Sequence, residues 1–107
     1  MTKMINVARD FSPFAAGRYY TDGPYSGEKF REEILLPSLA KNDHVVVDLD
    51  GTLGLGSSFL DETFGGLVRA GLRLSDLKRR LEVKCRIKSY EDRAWQYISD
   101  EEKKIKK

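Results

Sequence analysis

Two pairs of residues carry groups whose types and spacing could do chemistry. Asp48 and Asp50 lie two apart at the end of an apolar run and directly before Gly51, so their carboxylates occupy alternate positions at a strand end. Such a pair can serve phosphoryl chemistry only with a cationic stabiliser and further acidic residues from later strands to hold a metal. Ser57 and Ser58 stand where a glycine-rich loop meets the start of an amphipathic helix. Hydroxyls there can cap free amides, or carry a phosphate that the positive end of the helix stabilises.

The elements that must position these groups lie between His44 and Leu72. Val45, Val46, Val47 and Leu49 form a short β-branched run bounded by polar residues, the pattern of a buried strand in an α/β sheet, ending near Asp50. Gly51, Gly54 and Gly56 then allow a tight, shaped loop to leave the carboxyl end of that strand. Ser58 followed by Asp61 approximates a capping box, Leu60, Phe64, Leu67 and Val68 share one helical face, and Gly71 is a natural stop. In open α/β sheets the crevice at the carboxyl ends of the strands is where sites are usually found.

Around this unit the remaining chain supplies supporting elements. Met4, Ile5 and Val7 predict a first strand, and the stretch from Phe14 to Tyr25, rich in glycine and tyrosine, predicts a short strand or an ordered loop. Ser26 caps a helix carrying Phe30, Ile34 and Leu35, which ends near Leu36 or kinks at Pro37 and continues to about Ala40. Leu74, Leu77 and Leu81 predict a short helix. Val83, Cys85 and Ile87 alternate with charged residues as a strand with one apolar face, which makes Cys85 a buried structural thiol. A last helix carries Ala94, Trp95 and Ile98, with a charged end from about residue 100 that frays. The periods place Val45, Val47, Leu60, Phe64, Leu67, Val83, Cys85 and Ile87 in one core.

This alternation predicts a single α/β domain over residues 1–107, with a small mixed, partly parallel sheet covered by helices. A chain of 107 residues excludes a multi-domain scheme. Charged residues make up 34% of it yet the net charge is only +2, which argues against a strongly basic nucleic-acid binder. One cysteine, no membrane-length apolar run and no signal-peptide pattern predict a cytoplasmic protein without disulfides.

The run from Val45 to Leu53 resembles the first motif of the haloacid dehalogenase phosphatases. That resemblance implies Asp48 as nucleophile and Asp50 as general acid and base, with Mg²⁺ on the phosphoryl group. No further aspartate pair of the expected kind follows a later strand, and a strand and a helix precede the motif where that family has its first strand.

A second resemblance covers far more of the chain. Tyr25-Ser26-Gly27-Glu28-Lys29-Phe30, Val47-Asp48-Leu49-Asp50-Gly51 and the block Ser57-Ser58-Phe59-Leu60-Asp61-Glu62 with Phe64-Gly65-Gly66-Leu67 resemble the STAS-like domains of unknown function, of the DUF4325 type, distant relatives of anti-sigma-factor antagonists. The resemblance implies a STAS-like fold. In anti-sigma-factor antagonists proper, a loop ending Asp-Ser-Ser-Gly presents a serine that a kinase-type anti-sigma factor phosphorylates. Ser57 and Ser58 match the serine pair, with Gly56 in place of the aspartate and Phe59 in place of the glycine.

The leading expectation is therefore a non-enzymatic interaction module that uses no cofactor. It docks on a protein partner of the histidine-kinase-like ATPase type through Thr52, Leu53, Gly54, Leu55, Gly56, Ser57, Ser58, Phe59 and Glu62, with Ser58 or Ser57 as the candidate phosphorylation site. The alternatives are an Mg²⁺-dependent phosphatase at Asp48 and Asp50, and a nucleic-acid binder using Lys78, Arg79, Arg80, Lys84, Arg86 and Lys88.

Overall fold

Val45, Val46 and Val47 are all buried, which is possible only for the central strand of a sheet. A computed structural model of the chain describes residues 1–105 and places them in β2 (His44–Asp48), between β1 (Thr2–Asn6) and β3 (Leu81–Lys84). Both pairings are parallel, so the sheet is fully rather than partly parallel. Ile5 is level with Val47 and Val83, and Lys3 with Val45 and Leu81.

Two crossovers run in the same direction across the sheet, and right-handed crossovers then put both helical connections on one face. That face carries the buried Ile5, Val45, Val47, Leu81 and Val83. The opposite face carries the buried Val46, flanked by Met4, half exposed, and by the exposed Glu82, with Lys84 exposed beyond.

After a one-turn helix, α1 (Val7–Asp10), the first crossover is one helical run over residues 27–41: α2 (Gly27–Phe30), a π-helical segment over Arg31–Leu35, and α3 (Leu36–Lys41). Ser26 caps it by accepting from the Lys29 amide at 3.1 Å, as its position predicts. The run continues through Pro37, and the π-helical turn is how it does so. The Leu36 amide bonds back to Arg31, five residues away, so the hydrogen-bond ladder has already shifted where Pro37 lacks a donor.

The second crossover has the same construction over residues 57–69: α4 (Ser57–Leu60), a π-helical segment over Asp61–Gly65, and α5 (Gly66–Arg69). Gly71, at φ +110°, ends it as a Schellman motif: the Gly71 amide bonds to Val68 and the Leu72 amide to Leu67. A short helix (Leu74–Arg80) leads into β3, and a long helix (Lys88–Ile105) closes the core with Ala94 and Ile98.

Three expectations need correction and one alternative is decided. Val7 is not in the first strand: Asn6 accepts from the Arg9 amide and caps a one-turn helix at Val7–Asp10. The stretch from Phe14 to Tyr25 is the ordered loop of its two expected forms, with a 3₁₀ turn at Tyr20–Asp22, tied to the start of α2 by Gly27 and Glu28 amides bonded to Gly17 and Arg18. The third strand ends at Lys84, because the Cys85 amide turns to the Glu91 carboxylate, so Cys85 is only half buried and Ile87 is 56% exposed. The charged end of the chain is helical to Ile105, anchored by a buried Glu102 that accepts from Arg73 and the Leu74 amide; the rest of the tail, residues 106–107, lies outside the described residues.

The two crossover runs touch where side chains are smallest. A Cβ on Gly27 would lie 2.8 Å from the Phe59 carbonyl oxygen, a backbone atom that cannot swing aside. Gly27→Ala should therefore force the helices apart and cost about 1–3 kcal/mol, read as a lower urea midpoint with an unchanged slope.

Candidate docking site

The loop after β2 is built by the two aspartates and held at three points. Asp48 accepts the Asp50 amide at 2.9 Å, and Asp50 accepts the Arg86 amide at 2.7 Å, joining this loop to the one after β3. The Thr52 hydroxyl donates to the Leu49 carbonyl, and the Asn6 side chain to the Asp50 carbonyl. Gly51 takes φ +92°, a conformation that strains any L side chain, and a Cβ there would also crowd Ala8 at 3.1 Å. Both carboxylates thus shape backbone. Among the described residues no group of three or more His, Cys, Asp or Glu is placed to hold a metal ion.

Beyond Thr52 the loop is pinned on its other side: the Leu53 amide donates to the Pro13 carbonyl at 2.8 Å. This brings Leu53, 69% exposed, onto the loop that carries Phe14, 66% exposed. Leu55 turns inward and is buried, while Gly54, Gly56, Ser57 and Ser58 remain at the surface.

The capping box expected at Ser58 does not form. Gly56 is the cap residue, its carbonyl accepting the Leu60 amide, and among the described residues no side chain bonds to the first-turn amides. Ser57 and Ser58 are the first two residues of the helix, both exposed. Asp61 is drawn away from the helix start by Arg18 at 2.8 Å and by Arg69.

Of the nine residues expected to dock a partner, three are inside. Leu55 is buried, Phe59 is fully buried against Phe30 with ring centres 6.2 Å apart, and Glu62 is 7% exposed. Arg31, itself 8% exposed, donates to the Glu62 carboxylate at 2.8 Å and to the Glu62 carbonyl at 2.6 Å, and Arg18 and Arg69 approach the same carboxylate at 3.3 and 3.5 Å. Arg31 reaches Glu62 across Gly66, where any Cβ would meet the guanidinium, and Arg69 also pairs with Glu101 on the last helix. This arginine cluster went unread in the sequence. Its signal was there: two adjacent glycines inside a helical pattern imply something large crossing at that point.

Three of the six basic residues, Lys78, Arg79, Arg80, Lys84, Arg86 and Lys88, are held by partners within the chain. Arg80 closes the end of α3 by donating to the carbonyls of Leu39, Asn42 and Asp43, and Arg79 and Lys88 pair with Asp76 and Asp92. Burial, with Asp50 and Glu91 nearby, pushes the Cys85 thiol above its usual pKa, which keeps it protonated at neutral pH and a poor nucleophile. Among the described residues no helix is long and apolar enough to cross a membrane.

A family model described as a STAS-like domain of unknown function (DUF4325) matches residues 26–85. No curated protein and no solved structure matches the chain.

Two outcomes follow from this geometry. Glu62→Ala leaves the buried Arg31 with only the more exposed Glu32 carboxylate, 3.0 Å away, and should cost up to about 3 kcal/mol in a urea melt. Ser58→Ala removes no cap bond and should leave the melting temperature within about 1 °C of wild type, because exposed substitutions away from caps change little.

Proposed function

We propose that this chain, which belongs to the family of STAS-like domains of unknown function, is a non-enzymatic cytoplasmic module that docks on a protein partner at the carboxyl ends of its strands. One observation carries the reading: Phe14 and Leu53, each about two-thirds exposed, sit on loops joined by the Leu53-to-Pro13 hydrogen bond, and the second of these loops leads into the exposed Ser57 and Ser58. Large apolar side chains held out on pinned loops are a common signature of a contact surface, and loops on a rigid scaffold are where binding residues concentrate. The docking surface is Phe14 with Thr52, Leu53, Gly54, Gly56, Ser57 and Ser58. Leu55, Phe59 and Glu62 hold it from below.

Serine phosphorylation switches this surface in the proposed mechanism. A phosphate on Ser58 would face first-turn amides that no side chain among the described residues caps, at the positive end of a 13-residue helical run. Asp61 and Glu62, the carboxylates that would oppose it, are already paired with arginines. The added charge would then change the docking surface while the fold tolerates it. A histidine-kinase-like ATPase is the kind of partner that the resemblance to anti-sigma-factor antagonists suggests, since it could both bind the surface and modify it.

Affinity capture from native cells, followed by mass spectrometry, tests this with three baits: wild type, the double variant Phe14→Ser/Leu53→Ser, and Ser58→Asp. The expected result is a partner retained by wild type and lost by both variants, which should melt within a few degrees of wild type because all three positions are exposed. Titration calorimetry with the recovered partner should show at least tenfold weaker binding for each variant. Equal recovery by all three baits would remove both the docking surface and the switch.

A further inference from the structure

β3 is an edge strand, and its outer side opens onto a groove of about 490 Å³ between the strand and the last helix, lined by Leu81, Val83, Cys85, Glu91 and Trp95. The hydrogen-bonding phase of the strand is set by one contact. The Leu49 amide donates to the Lys84 carbonyl at 2.8 Å, so Lys84 and, two residues back, Glu82 direct their backbone groups to β2. Leu81, Val83 and Cys85 direct theirs outward, since successive residues of a strand face opposite sides. Two of these groups are taken: the Leu81 amide bonds to Leu77, and the Cys85 amide to Glu91. The amide and carbonyl of Val83 face the groove.

We infer that a second copy of this chain fills the groove, its β3 pairing antiparallel with this one about a two-fold axis at Val83. Outward-facing residues must pair with outward-facing residues, which restricts the central pairings to Glu82 with Glu82, Val83 with Val83, or Lys84 with Lys84. The first sets two carboxylates opposite each other and the last two ammonium groups, both destabilising. The middle register sets Glu82 of each copy opposite Lys84 of the other, in the closely spaced non-hydrogen-bonded positions, while the two Val83 residues exchange both backbone hydrogen bonds.

Both charged side chains are exposed on the open face of the sheet, and neither has an ion-pair partner among the described residues. The edge Leu81-Glu82-Val83-Lys84 is thus its own complement when reversed, which selects a second copy over a strand of different sequence. Two sheets of three would join into one of six, and this interface lies on the β3 edge, apart from the loops that carry the proposed docking surface. Cys85 pairs with Leu81 of the other copy, not with Cys85, so no disulfide is required.

Sedimentation equilibrium of the full chain over a concentration series, with reductant present, tests the inference. Wild type should show a reversible monomer–dimer equilibrium. Glu82→Lys and Lys84→Glu should each weaken it about tenfold or more, since each turns two attractive pairs per dimer into like-charge pairs. The double variant Glu82→Lys/Lys84→Glu should return to within about threefold of wild type, since swapping the charges restores both pairs. A wild-type monomer up to millimolar concentration would overturn the proposal, as would single variants that dimerise like wild type or a double variant no better than the singles. Circular dichroism on every variant separates loss of the dimer from loss of the fold.

Discussion

The ion pair between Arg31 and Glu62 is the constraint around which the helical layer is arranged. A guanidinium and a carboxylate, both nearly buried, are strongly destabilising when separated and close to neutral when fully bonded, so every neighbouring choice must keep them bonded. Gly66 leaves room for the arginine to cross the second helical run. Gly27 lets the two runs approach until a backbone carbonyl lies against it. The π-helical turns fall at the same level of each run, and the second begins at Asp61, beside the carbonyl of Glu62 that Arg31 uses as its second acceptor.

This arrangement gives the family block a physical meaning. Ser57 and Ser58 are at the surface, but Phe59, Asp61, Glu62, Gly65 and Gly66 read as a helix–helix joint: an aromatic anchor, the acidic partners of three arginines, and the two glycines that accommodate them. Most of the block therefore specifies how two helices cross. The proposed docking surface lies on the loop before it, whose shape is fixed by Asp48 and Asp50 through the amides of Asp50 and Arg86. Those carboxylates hold the carboxyl-end loops to one another, and this places Leu53 beside the loop of Phe14.

The crossover helices all lie on one face of the sheet because the crossovers share a hand and a direction, and β1 and β3 are edges because the described residues form three strands in line. Parallel sheets are usually covered on both faces, and unpaired edges are liabilities that proteins blunt with charge. Here Lys3 stands on β1, and Glu82 and Lys84 on β3, so each edge carries charge. On β3 the same charges are placed so that one pairing register is favoured over its neighbours.

Local pattern was enough to determine the element order, the buried central strand, the Ser26 cap, the Gly71 stop and the amphipathic faces of the helices, because period, caps and turn residues act over a few positions. Val83 and Ile87 share a strand period in the sequence, yet only Val83 is buried: the length of β3 was decided by Glu91 capturing the Cys85 amide from the next helix. Glu62 read as surface for the same reason. A carboxylate beside two exposed serines on a helix looks solvated until a helix 31 residues away in sequence supplies Arg31. The sequence determined which residues form each element; the tertiary structure decided which charges are buried and which apolar side chains remain exposed, because those outcomes depend on partners that no short window of sequence contains.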